Sequence, residues 1–415
     1  MAHEHALQIP TQSAAWDCNG AKRQRDSVST QAIVQLFAPC PRGLESVLAR
    51  ELEGLGASAV QAVAGGVAFE GDTHVVYRAN LESRIATRIL LRLFTTHYRN
   101  EEDIYRAAYE LDWPQRFDVA RSIRVYLTAQ RCPLKSLDFL TLRIKDAICD
   151  RFRSAVGSRP NVDTRAPEVR IHAFLDATQF TLYLDTSGEP LFKRGARAAQ
   201  GEAPLKENLA AGILRLSGWQ PGSALLDPMC GGGTILVEAA QIALDIAPGI
   251  ARSFGFERLR DFDATLWHGL RAEAEARRKP VVPLPIYGSD LYGDTLKLAQ
   301  TNLSAAGLEG AVQLKQANAL ELSAPAEHGV LVTNPPYGER MGEQQDLAAF
   351  YPKFGDALKQ KFTGWNCYIL SADMSLPKLI KLQVSKRTPL FNGALECRLF
   401  EYKIIAGSMR TPKPA

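Results

Sequence analysis

No apolar run in this 415-residue chain approaches the ~20 residues of a membrane-spanning helix, so no membrane partner is expected. Cysteine is sparse and scattered, at Cys18, Cys40, Cys132, Cys149, Cys230, Cys367 and Cys397. None forms a CxxC pair, so no zinc site is legible, and an odd, dispersed set suits a reducing cytoplasm. His3 and His5 alone are too little for a metal centre, and no metal is expected. Residues 1–30 lack the apolar stretch of a secretory signal. They are polar, carry Lys22, Arg23 and Arg25, and read as a disordered tail. Internal repeats are absent. So are a complete Gly-x-Gly-x-x-Gly fingerprint and a Gly-Lys-Ser/Thr phosphate loop. The first absence argues against a nicotinamide dehydrogenase, the second against a P-loop NTPase.

Charge is nearly balanced, at a formal net +4, but it is uneven. Residues 121–200 hold fourteen Lys/Arg against eight Asp/Glu. A basic middle beside a near-neutral remainder points to a polyanionic partner, with a solvated surface as the plain alternative.

The pattern of elements divides the chain. Ile33 to Phe37 reads as a strand and Leu44 to Leu55 as an amphipathic helix, with Gly56 as its stop. Leu81 to Phe94 alternates basic and apolar residues at helical spacing. Ser122 to Leu127 alternates with period two, as a half-buried strand does. Leu137 to Phe152 predicts an amphipathic helix with Arg143, Lys145, Arg151 and Arg153 on its exposed face. Val169–Phe174 and Phe180–Leu184 read as strands joined by a turn. Beyond a linker, strands and helices alternate, which predicts a parallel sheet. The chain closes on two strands joined by Asn392-Gly393, a strong hairpin signal. That topology is the seven-stranded α/β sheet of class I methyltransferases.

Two stretches carry chemistry. In the first, Val330 to Val332 runs into Asn334-Pro335-Pro336-Tyr337. An amide oxygen, a rigid turn and an aromatic ring directly after a strand can hold a flat amino group. Asn334 Oδ1 and the Pro335 carbonyl would accept its two N–H bonds, and Tyr337 would stack on the extruded ring. Methyl transfer from a sulfonium needs alignment more than acid–base help. Alone, the motif leaves adenine, guanine and glutamine amides open.

In the second, Leu225-Leu226 is followed by Asp227, Pro228, Met229, Cys230, Gly231, Gly232, Gly233 and Thr234. Glycines allow close backbone approach, and a helix N-terminus offers free N–H groups. Both suit the carboxylate of an amino-acid-like ligand such as S-adenosylmethionine. Asp290, ending the next strand, is placed either to accept ribose hydroxyls or to cap the following helix. Asn318 is either an adenine contact or a turn residue. Cys230 reads as a small residue that fits the loop, since nothing near it lowers a thiol pKa.

With these motifs in one order, the chain resembles the RlmL-type bacterial 23S rRNA guanine-N2-methyltransferases, which are THUMP-domain class I enzymes. The resemblance rests also on Arg42-Gly43-Leu44-Glu45, Lys145-Asp146-Ala147-Ile148, Arg159-Pro160-Asn161-Val162-Asp163, Asp185-Thr186-Ser187-Gly188, Lys206-Glu207-Asn208-Leu209 and Ser217 to Gly222. It implies a ferredoxin-like unit over 31–74, a THUMP domain over 75–186, a linker over 187–204 and a methyltransferase domain over 205–410. It further implies S-adenosylmethionine as cofactor and 23S rRNA as partner, with Arg143, Lys145, Arg151, Arg153 and Arg159 toward RNA. The chain departs from the family at Gly232, where Ser is common, and at Asn318, where Asp is common. Some members carry a second methyltransferase domain that makes 7-methylguanine; this chain is expected to lack it. A tRNA guanine-N2-methyltransferase and a non-catalytic ribosome-assembly factor stand as alternatives.

Overall fold

The computed structural model describes residues 32–194, 205–335 and 341–406, the side chains of 341–347 excepted. The expected tail, most of the linker, and Pro336 and Tyr337 lie outside the described residues.

The first half forms one seven-stranded sheet. Its elements are β1 (Val34–Pro39), α1 (Glu45–Gly54), β2 (Ser58–Val63), β3 (Gly66–Gly71), α2 (Thr73–Glu82), β4 (Leu90–His97), α3 (Glu101–Glu110), β5 (Ile123–Ala129), α4 (Leu137–Val156), β6 (Val169–Leu175) and β7 (Gln179–Asp185). The strand order is β2-β3-β1-β4-β7-β6-β5, antiparallel except for β5 beside β6. β4 joins the two expected units. It pairs with β1 over two residues and with β7 from Leu90↔Asp185 to His97↔Gln179. The helix read over 81–94 is therefore corrected. α2 ends at Glu82, and a strand starts at Leu90. A register shift between Arg92 and Phe94 breaks the period-two alternation that would have marked β4 in sequence.

The second half contains α5 (Glu207–Ser217), β8 (Ala224–Asp227), α6 (Thr234–Ala243), α7 (Ala264–Arg277), β9 (Ile286–Asp290), α8 (Gly293–Ala305), β10 (Gln313–Gln316), β11 (Gly329–Thr333), α9 (Met341–Lys361), β12 (Trp365–Ser371), α10 (Leu376–Ile380), β13 (Lys386–Asn392) and β14 (Leu395–Lys403). The order β10-β9-β8-β11-β12-β14-β13 is parallel until β14 inserts antiparallel beside β12. This is the class I methyltransferase sheet, closed by the expected hairpin, with Gly393 at φ +67 in its turn. Strand order reverses between β8 and β11. In open α/β sheets ligands bind at the carboxyl ends of the strands at that switch point.

Burial follows the same logic. β8 and β11 are covered on both faces and read as continuous apolar runs. The edge strand β2 is mostly exposed. Three apolar clusters form. One fills the space between α3, α4 and β5–β7, and another packs α9 and α10 on one face of the second sheet. The largest continues from β1, α1 and α2 into α5 and α6. Gly212 on α5 permits that join, since a Cβ there would fall 2.3 Å from a Leu44 methyl. A buried ion network ties the same surfaces. Glu238 of α6 is wholly buried between Arg84 at 3.4 Å and Arg194 at 3.0 Å. Arg194 also donates to the Leu191 and Arg84 carbonyls, so the charges lie within a hydrogen-bonded frame.

No described helix is long and apolar enough to cross a membrane. Among the described residues, no group of three or more His, Cys, Asp or Glu is placed to hold a metal.

Candidate functional site

β8 and β11 lie side by side, with Leu226 opposite Leu331. Asp227 follows one residue past that pair, and Thr333 two. The two chemistry-bearing stretches therefore leave neighbouring strands at the same carboxyl edge, at the switch point. Asn334 is half-buried there and Pro335 is buried.

The glycine loop is shaped by backbone requirements. Gly231 sits at φ +53 and Gly233 at φ +76, a region that side chains disfavour. At Gly233 a Cβ would also lie 3.2 Å from Ala299 of α8. The loop is pinned from β9: Cys230 N–H donates to the Ser289 carbonyl at 2.9 Å, and Ser289 Oγ donates to the Pro228 carbonyl at 3.1 Å. Asn302 of α8 donates to the Gly232 carbonyl at 2.9 Å. Thr234 then opens α6, whose first turn carries backbone N–H groups without intrahelical partners.

The acids divide the work. Asp290 holds the loop and its own strand end together. One oxygen accepts from Gly231 N–H at 3.1 Å, the other from Tyr292 N–H at 3.2 Å. Each carboxylate oxygen has a second acceptor site, so these bonds leave capacity for a hydroxyl. Asp227 accepts from Met229 N–H at 3.2 Å. Burial pushes its carboxyl up to about 7; Thr333 and the Met229 N–H oppose that, and the Asp290 charge adds to it. No described basic side chain pairs with Asp227. A buried carboxyl without a cation fits a ligand that brings an ammonium, as an amino-acid moiety does.

Cys230 is buried, and its thiol is pushed far up, first by burial and then by Asp227 and Asp290. It fits the loop and is no nucleophile. Asn318 Oδ1 accepts from Leu320 N–H at 3.0 Å, so its carboxamide oxygen serves the local turn.

The cations expected toward RNA lie on or just beyond α4. Arg143 pairs with Glu102 at 2.6 Å and covers the Tyr105 ring. Lys145 pairs with Asp146, Arg151 with Asp112 at 3.6 Å and Arg153 with Asp150 at 2.9 Å. Arg159 lies against the Cys149 thiol. Pairs this exposed are weak, about 0–1 kcal/mol, so a phosphate can displace the carboxylate.

Two features escaped the sequence reading. The Glu238 network joins residues more than 150 positions apart, Arg84 to Glu238. A cavity of about 490 Å³ lies between the turn after β1, the start of α5 and the β13–β14 hairpin. The motifs Arg42-Gly43-Leu44-Glu45 and Lys206-Glu207-Asn208-Leu209 and the Asn392-Gly393 turn were legible around the cavity, but not that they meet there.

Comparisons with known proteins agree with the fold. A family model described as RMKL-like, methyltransferase domain, matches residues 194–401. Models for the RlmL ferredoxin-like domain and the THUMP domain match 35–90 and 98–185. A Synechocystis protein named as a candidate RNA methyltransferase is 39% identical over 89% of this chain and 96% of its own. The ribosomal RNA large subunit methyltransferase K/L of Shewanella amazonensis is 42% identical over 91% of this chain. That match covers 54% of the Shewanella protein, so the chain spans about half the length of such relatives. Among solved structures, SMU.472, a candidate methyltransferase complexed with SAH, superposes with a TM-score of 0.82 at 31% identity. The superposition covers 91% of this chain and all of the other.

Proposed function

The chain belongs to the RMKL-like methyltransferase family, and we propose that it methylates the exocyclic N2 amine of a guanine in 23S rRNA. The observation that carries the reading is the meeting of Asn334-Pro335 and the glycine loop on adjacent strand ends at the switch point.

S-adenosylmethionine, when bound, supplies an electrophilic methyl group on a sulfonium. Asp227 is the acid suited to the amino-acid ammonium, and the first turn of α6 to the carboxylate. Met229, Cys230, Gly231 and Gly233 form the loop wall, and Pro228 fixes its exit from β8. Asp290 offers its remaining acceptor sites to ribose hydroxyls. Asn334 Oδ1 and the Pro335 carbonyl accept the two hydrogens of the guanine amine. That draws its nitrogen toward sp³ and aims the lone pair at the methyl carbon. One N–H proton leaves to water after transfer, so no general base is needed. The base leaves its stack to reach this edge, and Tyr337 is the ring assigned to cover it.

The Shewanella relative's name supports ribosomal RNA as the substrate, and the THUMP match supports an RNA partner. Asn334→Ala should lower kcat for rRNA methylation by roughly a hundred- to a thousandfold, the scale at which such polar contacts to the reacting group act. SAH affinity should change little. Nucleoside mass spectrometry on 23S rRNA from a deletion strain tests the substrate. Undiminished N2-methylguanosine there overturns the reading, and loss from tRNA instead would assign the tRNA alternative.

A further inference from the structure

The cavity of about 490 Å³ is lined by Arg42, Thr87, Phe192, Lys206, Asn208 and Phe391, among others. It is built at the active edge. β14 runs antiparallel to β12, with Arg398 opposite Ser371, the last residue of β12. The hairpin tip, with Phe391 and Gly393, therefore stands beyond the carboxyl ends of the parallel strands. α5 ends at Ser217 and β8 begins at Ala224, so the chain reverses and the first turn of α5 faces the same edge. The opposite wall, Cys40 to Arg42 and Thr87, comes from the first sheet's side of the molecule.

Its chemistry is of three kinds. Two cations sit over two rings: Arg42 is 5.5 Å from the Phe391 centroid, and Lys206 is 5.2 Å from that of Phe192. The third is a buried acceptor. Asn208 is 1% exposed, and its Nδ2 donates to the Ile85 carbonyl at 3.3 Å and to Thr87 Oγ1 at 3.4 Å. Those bonds fix the carboxamide, yet Asn208 Oδ1 has no hydrogen-bond partner. That oxygen is buried, so Asn208 shapes the cavity wall and holds Thr87 and the Ile85 carbonyl in place. Cations for a phosphate and rings for a base face make a single-stranded RNA recognition set.

Resting on the function proposed above, we infer that this cavity holds a nucleotide of the RNA flanking the one to be methylated. It is a flanking subsite because, among the described residues, neither Asn334 nor Pro335 nor the glycine loop lines it. Phe391 supplies the stacking surface, and Arg42 and Lys206 face the phosphate. Both halves of the chain thus grip the same strand beside the methyl-transfer point.

The test is calorimetric titration of the full chain, saturated with SAH, with each of the four ribonucleoside 5′-monophosphates. At least one should bind, with Phe391→Ala and Arg42→Gln each weakening it about tenfold or more, and Phe391→Tyr restoring it. In steady-state assays the same two variants should raise KM for rRNA by a similar factor, with kcat at saturating RNA and SAH affinity unchanged. Thermal unfolding identifies any variant that fails to fold, and Lys206→Gln then tests the phosphate contact independently. Wild-type protein that binds none of the four, or variants that leave both nucleotide affinity and KM unchanged, would overturn the subsite. The nucleotide titration does not depend on which RNA is methylated. Undiminished N2-methylguanosine in 23S rRNA from the deletion strain would instead sink the function reading and leave the nucleotide titration to judge the cavity.

Discussion

Asp185 and Asp227 end strands in the two sheets, and both are buried to about 2% exposure. Their surroundings are opposite. Asp185, at the end of β7, is ion-paired with Arg88 and lies 3.4 Å from His172. It also accepts from the Ser187 and Gly188 N–H groups at 2.8 and 3.1 Å. Burial alone would raise its pKa, but His172, Arg88 and the Ser187 N–H outweigh that and hold it below the usual range. Asp227, at the end of β8, has one backbone donor and no described cation, and burial carries it up to about 7. One acid is finished within the fold; the other has no described cation beside it, as the ammonium site proposed above requires. The two carboxylates are thus told apart by their partners, where burial alone would class them together.

Removing the partner of the finished acid should have the largest effect. Arg88→Met keeps most of the side-chain volume but leaves Asp185 buried without its cation. The expected loss is about 3–5 kcal/mol of unfolding free energy, read by urea denaturation. SAH affinity should be unchanged in protein that remains folded. A loss below about 1 kcal/mol would make Asp185 no more committed to the fold than an exposed pair, and the contrast would fail.

The unfinished acid should show itself through pH. Its folded pKa lies above the ordinary 3.8, so the native state binds the proton more tightly than the unfolded chain. That contribution to stability is complete below about pH 4 and is lost as pH rises to about 7, at about 1.4 kcal/mol per unit, or up to ~4 kcal/mol in all. Asp185 has the opposite sign and a separate window: its contribution is present above the ordinary carboxylate pKa and is lost only on further acidification. Asp227→Asn should therefore flatten the stability profile between pH 4 and 7 and exceed wild type at pH 8. Equal slopes for wild type and variant across that window would mean Asp227 ionises normally.

How much of this was legible in sequence differs between the same two regions. Leu225 to Thr234 announced itself, because a buried parallel strand is an unbroken apolar run and the turn after it demands glycine at positions 231 and 233. Asn334-Pro335 stood out for the same reason, as did the Asn392-Gly393 turn. The first sheet was harder. β2 is an exposed edge strand and shows no alternation, β4 is interrupted by its bulge, and α3 was not anticipated. The Arg88–Asp185 pair closes a loop of 97 residues, and no local pattern records such a contact. The motif Asp185-Thr186-Ser187-Gly188 was visible, but its partner was not. Sequence periodicity reports what a residue's own element buries; it is silent on which distant charge meets it. The state of Asp227 was likewise beyond reach, since it depends on an absence of neighbouring cations.

The smallest predicted effect joins the two aspartates to ligand binding. If the ionised Asp227 receives the ligand's ammonium, binding requires that its proton be lost first. SAH affinity should then fall about tenfold for each pH unit below about 7 and level off above it, a change of about 1.4 kcal/mol per unit. The ammonium stays protonated throughout that range, so it contributes no slope of its own. Asp290 lies close enough to raise the Asp227 pKa, and Asp290→Asn should accordingly move the break in the profile to lower pH. Asp227→Asn should remove the slope and weaken binding at pH 8, where the wild-type carboxylate is charged. Arg88→Met, which perturbs the other aspartate, should leave the break where it was. A wild-type affinity that is flat from pH 5 to 8, with Asp227→Asn binding normally, would show that Asp227 is another finished acid, and that the loop holds its ligand by the α6 N-terminus and Asp290 alone.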